Sequence, residues 1–199
     1  TLGWKIAQSS DVEEVLYAPG NAGTAAEFKG RNVPLDAAKE NNFPVLATLL
    51  AQEHIDITVV GPEDPLANGI VDYLQERGHR VFGPTKEAAG LEADKFFSYN
   101  LMETIRIPQA TSVLCYGRDQ ARRAIIERAT ADGIVLKARG LAAGKGVLVC
   151  KSKEEALHSL EDHLENYGGE VLVAERLFGQ EFSVFGISTG ERVIPWEAS

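Results

Sequence analysis

The chain has 199 residues, 44% hydrophobic and 25% charged, with a net charge of −9. That is apolar material for a real core in one large domain or two small ones. The acidic balance argues against a non-specific nucleic-acid binder, which carries a basic face, but leaves room for a local basic pocket. No apolar run approaches the roughly 20 residues of a membrane-spanning helix, and the sequence as given shows no signal-peptide pattern. Cys115 and Cys150 match no metal-ligand spacing and read as plain core residues. A reducing, cytoplasmic compartment is therefore expected. The chain opens on Thr1 and stops on "VIPWEAS", and both ends are expected to be cut.

In chain order, "LGWKIAQS" (2–9) reads as the tail of a helix and "EEVLYAPG" (13–20) as a short strand ending in Pro-Gly. The run 43–54 places Val45, Leu46, Leu49 and Leu50 on one helical face. "IDITVVGPE" (55–63) is a buried strand ending in Gly-Pro. The run 65–78 places Leu66, Ile70, Val71 and Leu74 on one face and stops at Gly78, and "HRVFGPT" (79–85) is a further strand. Strand alternating with helix at this spacing predicts a parallel α/β sheet, whose ligands bind beyond the carboxyl ends of the strands. Three strand ends finish in glycine-bearing loops, 18–24, 60–65 and 82–85, where Asn21, Thr24 and Glu63 offer hydrogen bonds. Ordinary strand-to-helix turns favour the same residues. A doubly wound sheet usually opens on a strand and a glycine-rich turn, and both are expected to lie before Thr1.

From about residue 109 the pattern changes. Strands are predicted at 111–116, 133–138, 146–152, 170–177 and 181–189, and helices at 118–133 and 153–169. This is helix against a mostly antiparallel sheet, an α+β module. His158 and His163, among acids, read as a solvated helix face rather than a metal site. "VLKARGLAAGKGVLV" (135–149) is not a P-loop, because a strand rather than a helix follows it. Its glycines can still bring backbone N–H groups to phosphates, with charge from Lys145. Lys137 lies within an apolar strand, which is costly for an ammonium that finds no anion. A plain hairpin with solvated lysines is the alternative.

The stretches "APGNAGT", "VVGPEDPLANGIVD", "FGPTKEAAGLEADKFF", "VLKARGLAAGKGVLV" and "ERLFGQEFSV", in this order and spacing, resemble the glycinamide ribonucleotide synthetases (phosphoribosylamine–glycine ligases) of the ATP-grasp superfamily. The resemblance runs from about residue 2 to about 190. It implies an α/β fold: a Rossmann-like, parallel-sheet pre-ATP-grasp domain (1–90, without its first strand), a linker or start of the ATP-grasp part (91–108), and an incomplete ATP-grasp nucleotide-binding portion (109–199). It further implies ATP-dependent joining of glycine to 5-phosphoribosylamine through a glycyl phosphate, with ATP and Mg²⁺ (or Mn²⁺) required. No nucleic-acid or membrane partner is implied, and fusion to, or association with, other purine-biosynthesis enzymes is compatible with it.

Carried over position by position, Lys95 and Lys137 match the superfamily's two phosphate-contacting lysines. The loop 140–146, with Gly140, Gly144, Lys145 and Gly146, matches its mobile cover. Glu175 to Leu177 match the adenine-reading hinge, and Glu181 the acid that holds the ribose. Asn21, Gly23 and Thr24, with Gly61, Pro62 and Glu63, fall where the family faces its ribosyl-phosphate substrate. There are departures. Ala174 stands where an acid often meets the adenine amino group, and Arg139 where the family has a small or acidic residue. "ENYGGEV" is shorter than the family's usual loop, and "PWEAS" replaces the usual continuation. The metal-binding residues are expected beyond Ser199, so no metal site and no complete catalytic set are expected in this chain. A nucleotide-binding piece without turnover, or another ATP-grasp carboxylate–amine ligase, are the competing readings.

Overall fold

A computed structural model describes residues 2–196. The first half contains two short parallel strand pairs. Strand β1 (Val15–Tyr17) pairs with β2 (Gly30–Asn32), and β3 (Thr58–Val59) pairs with β4 (Val81–Phe82). The two pairs are not hydrogen-bonded to each other. The opening helix α1 (Leu2–Ala7) and the helix α3 (Phe43–Gln52) fall where the sequence places them. A short helix α2 (Ala22–Ala25) follows β1, capped by Asn21. The segment 65–78, expected as one helix, is two: α4 (Glu63–Ala67) and α5 (Ile70–Gln75). Gly69 separates them at φ +88°, a left-handed conformation that glycine adopts without a steric penalty. Phe43, Leu46 and Leu50 of α3 bury against Ile70, Val71 and Leu74 of α5, forming the core of this half.

Helix α6 (Lys86–Ala93) packs on α4 and leads directly into α7 (Lys95–Thr104), with only Asp94 between them. Segment 91–108, expected as a linker or the start of the ATP-grasp part, holds the end of one helix and the whole of another.

The second half is a four-stranded antiparallel sheet in the order β5-β8-β6-β7, made of β5 (Ser112–Cys115), β6 (Ile134–Ala138), β7 (Val147–Cys150) and β8 (Val171–Ala174). Helices α8 (Arg118–Arg128) and α9 (Lys153–Asn166) cover one face. The alternation of strand side chains assigns Cys115, Ile134, Leu136, Cys150, Val171 and Val173 to that core face, where all are buried. Ser152 caps α9 by accepting a hydrogen bond from the Glu155 N–H at 3.1 Å.

Two further expectations need correction. The predicted strand 181–189 is reduced to β9 (Gly186–Ser188), which pairs with β10 (Val193–Pro195) in a separate hairpin rather than joining the sheet. Phe178, Phe182, Val184 and Phe185 are exposed, so the alternating pattern there meets no covering surface among the described residues. His163 is not on a solvated face: it is 5% exposed, its ring lies 5.1 Å from that of Tyr167, and its Nε2 has no hydrogen-bond partner. Both cysteines are buried, as expected. Among the described residues no helix is long and apolar enough to cross a membrane.

Candidate functional site

The second face of the antiparallel sheet carries the candidate site. Across it runs a row set by the strand register: Val147 opposite Lys137, Lys137 opposite Leu172, and Leu172 opposite Leu114. Lys137 is the only cation in that row. It is half-buried, and no ion pair among the described residues involves it. Helix α7 lies over this face and turns Lys95, Ser98, Tyr99 and Met102 toward it, positions spaced as one helical side. Together with Gln109, Ser112, Lys137, Val147 and Leu172 they line a cavity of about 340 Å³. Tyr99 and Gln109 fix its rim: the Tyr99 hydroxyl donates to the Ser112 carbonyl at 3.2 Å, and Gln109 Nε2 donates to the Tyr99 carbonyl at 3.0 Å.

The glycine loop leaves β6 and returns in β7. Gly146 sits where chains pass closely: a Cβ there would lie 2.6 Å from that of Ala142 and 2.9 Å from that of Ala138. Ala143 and Gly144 take left-handed φ values of 47° and 76°. The loop is tethered near both ends. Lys95 Nζ donates to the Gly140 carbonyl at 3.1 Å, and the Tyr167 hydroxyl donates to the Lys145 carbonyl at 2.9 Å. A second, smaller cavity of about 140 Å³ lies between Glu63, Glu92, Lys95 and loop residues that include Gly144 and Gly146.

The structure thus gathers Lys95, Lys137, Gly144, Gly146 and Glu63 around two adjoining cavities that share Lys95. Other expected residues lie elsewhere. The Lys145 side chain is exposed and lines neither cavity. Glu175 accepts a hydrogen bond from the Thr111 N–H at 2.7 Å, while its own N–H donates to the Thr111 carbonyl, so it ties β8 to the start of β5. Leu177 and Glu181 are exposed and line neither cavity. Asn21, Gly23 and Thr24 form a closed capping arrangement: Asn21 Oδ1 accepts from both N–H groups, and Thr24 Oγ1 donates to Asn32. Pro62 caps α4 beside an exposed Gly61. Glu92, Ser98, Tyr99, Met102, Gln109 and Ser112 were not singled out by the sequence. The i, i+3, i+4, i+7 spacing of Lys95, Ser98, Tyr99 and Met102 was the available signal.

Arg139 is engaged by acids rather than free to meet a ligand. It pairs with Asp94 at 2.7 Å and with Glu170 at 2.9 Å. The hydrogen-bonded guanidinium, with help from the Phe96 and Phe97 N–H groups, holds the Asp94 carboxyl below its ordinary range.

Two lysines over one sheet face, a glycine-rich hairpin beside them and a parallel α/β unit ahead of them are the arrangement of an ATP-grasp architecture. Residues 1–92 match the family model "Phosphoribosylglycinamide synthetase, N domain", and residues 93–199 match "Phosphoribosylglycinamide synthetase, ATP-grasp (A) domain". The chain belongs to the phosphoribosylglycinamide synthetase family. It is 42% identical over 203 residues to a phosphoribosylamine–glycine ligase of Xanthomonas axonopodis pv. citri, a match covering 100% of this chain and 46% of that protein. It is likewise 42% identical to the human trifunctional purine biosynthetic protein adenosine-3, covering 98% of this chain and 19% of that one. The crystal structure of phosphoribosylamine–glycine ligase from Thermotoga maritima superposes with a TM-score of 0.74 at 29% identity, covering 99% of this chain and 46% of that chain. The chain therefore spans a little under half the length of the single-function ligases it matches.

Proposed function

We propose that this chain supplies the nucleotide-binding portion of an ATP-dependent ligase that joins glycine to 5-phosphoribosylamine, giving glycinamide ribonucleotide, ADP and phosphate. The observation that carries the reading is the convergence of Lys95 and Lys137 on one cavity beside the glycine loop. The nucleotide fits this donor set. The apolar wall of Tyr99, Met102, Val147 and Leu172 suits an adenine ring, and the two ammonium groups suit phosphate oxygens.

In the reaction a glycine carboxylate oxygen attacks the γ-phosphorus while its bond to the β-phosphate oxygen breaks and ADP departs. The amine nitrogen then attacks the acyl carbon, and phosphate leaves. Lys95 and Lys137 hold and neutralise phosphate oxygens, which is most of what phosphoryl transfer asks of a protein. The loop 140–146 closes over the phosphates and keeps water from the acyl phosphate. Glu63 and Glu92, across the smaller cavity from the loop, present acceptors for substrate hydroxyl or amine groups. Glu175 to Leu177 and Glu181 belong to the adenine and ribose side of the site on the strength of the motif alone. Asn21, Gly23, Thr24, Gly61 and Pro62 belong on the same ground to the ribosyl-phosphate side. The family implies Mg²⁺, but among the described residues no group of three acids, histidines or cysteines is arranged to hold a metal, and no step is assigned to one.

The test is calorimetric titration of the full-length protein with ADP, followed by an assay of ADP release with ATP, glycine and 5-phosphoribosylamine. Binding together with release that requires both substrates supports the reading. Nucleotide binding without substrate-dependent release supports a binding module. Release with another carboxylate and amine supports a different ligase. In a multifunctional parent, such as the human relative's name describes, the same assay reads this activity alone.

A further inference from the structure

We infer that Arg139 is a positioning residue that sets the distance between the two site lysines. This rests on the reading that Lys95 meets the nucleotide phosphates. Asp94 is the single residue between α6 and α7: it ends one helix and caps the next, its Oδ1 accepting the Phe96 and Phe97 N–H groups at 2.9 and 3.2 Å. Lys95 is therefore the first residue beyond a corner. A corner held only by its own cap is free to pivot against the sheet.

Arg139 grips that corner twice. Its Nε donates to both Asp94 oxygens at 3.0 Å and its Nη2 to Oδ2 at 2.7 Å, a planar fork that fixes direction as well as distance. Its backbone carbonyl accepts the Lys95 N–H at 2.8 Å. Its third arm, Nη1, donates to Glu170 at 2.9 Å, just before β8, and the guanidinium lies 5.1 Å from the centre of the Phe96 ring. Arg139 follows directly on β6, two residues after Lys137. One residue thus links the end of the strand that carries Lys137, the strand beside it and the helix start that carries Lys95. With both acids already bound to it, the guanidinium acts through Lys95 rather than on a ligand.

The experiment is titration of the full-length protein with ADP, and with adenosine by displacement of ADP, for the wild type, Arg139→Ala, Lys95→Ala and the double variant, each with a melting curve. Asp94→Asn accompanies them, since asparagine keeps the helix cap while removing the charge that the fork holds. If Arg139 acts by placing Lys95, Arg139→Ala and Asp94→Asn weaken ADP binding about tenfold, the lower end of a charge-assisted contact. Adenosine affinity stays unchanged, and the double variant binds ADP no worse than Lys95→Ala. Equal loss of ADP and adenosine affinity, or losses that add in the double variant, would overturn the inference. Should Arg139→Ala fail to fold, Asp94→Asn carries the same comparison against Lys95→Ala. An unchanged ADP affinity in Lys95→Ala defeats the nucleotide reading itself. A weakened Lys95→Ala beside an unaffected Arg139→Ala and Asp94→Asn defeats only the role of Arg139.

Discussion

Lys137→Met removes one ammonium from the row Val147, Lys137, Leu172 and Leu114 while keeping an unbranched stem to fill its place. The two consequences have opposite signs. In the free protein the charge sits half-buried among apolar neighbours with no acid partner among the described residues, so its loss leaves no orphaned anion there. The expected change in stability is within about 0.5 kcal/mol of zero, or slightly favourable, as for substitutions that break no named interaction. On the proposed reading the ammonium gives the bound nucleotide a charge-assisted hydrogen bond to phosphate, worth about 1.5–3 kcal/mol, so ADP affinity is expected to drop roughly 10- to 150-fold. Calorimetric titration and thermal melting on the same samples read both. Ligation by the full-length variant is expected to be lost, because the same contact strengthens as charge develops on the transferring phosphoryl group. An unchanged ADP affinity would refute the phosphate role. A melting temperature lowered by many degrees would show that the lysine serves the fold.

Three further outcomes follow from the packing and the loop. Leu136→Ala, at a fully buried position of the second core, is expected to destabilise by about 2–5 kcal/mol in a denaturant titration, and a loss under 1 kcal/mol would mean that this sheet face is loosely packed. Amide exchange at Leu141, Ala143 and Gly144 is expected to be fast without nucleotide and slowed by ADP, since the tethers lie at the ends of the loop; protection without nucleotide would contradict a moving cover. Burial holds the His163 imidazole below its ordinary 6.5, so the unfolded chain takes up its proton first as pH falls. Stability is thus present above about pH 6.5 and declines as pH drops from there toward the lower folded value. His163→Leu should remove that part of the decline from melting curves between about pH 7 and 5, and an unchanged profile would assign it to other groups.

Elements whose apolar pattern faces a core were legible in the sequence, and elements that face a cavity or solvent were not. The four sheet strands β5 to β8 and the helices α3 and α9 follow from their runs because burial wrote the pattern. Helix α7 escaped because its working side mixes Lys95, Ser98, Tyr99 and Met102, a surface for a ligand rather than for packing. Strand β2 is Gly-Arg-Asn and has no apolar signal. Segment 181–185 carries the alternation of a strand, but a strand forms only along a partner, and among the described residues the one backbone bond to it is at its end, from the Trp196 N–H to the Phe185 carbonyl at 2.8 Å. His163 shares a helical stripe with Ala156, Leu160 and Leu164, and its acidic neighbours hid that spacing. Both lysines of the cavity were readable. The ion cluster around Arg139 was not, because Asp94 lies 45 positions away and only the fold brings them together.

The two cysteines give the second half a built-in clock. They lie on opposite edges of one sheet, Cys115 on β5 and Cys150 on β7, and both are fully buried. Burial pushes each thiol up to about 11, so neither offers a thiolate to a reagent at neutral pH while the sheet is closed. Residues 1–114 hold no cysteine, so an alkylating agent ignores every opening within them. Its rate measures how often the helix-covered side of the sheet parts, and the mass of the product tells whether one edge or both came free. Molecules tagged once would mean that β5 and β7 peel independently, and molecules tagged only twice would mean that the layer opens as one unit. A ligand on the opposite face would slow this clock without touching either sulfur, so nucleotide binding becomes measurable from the side of the sheet that it never meets.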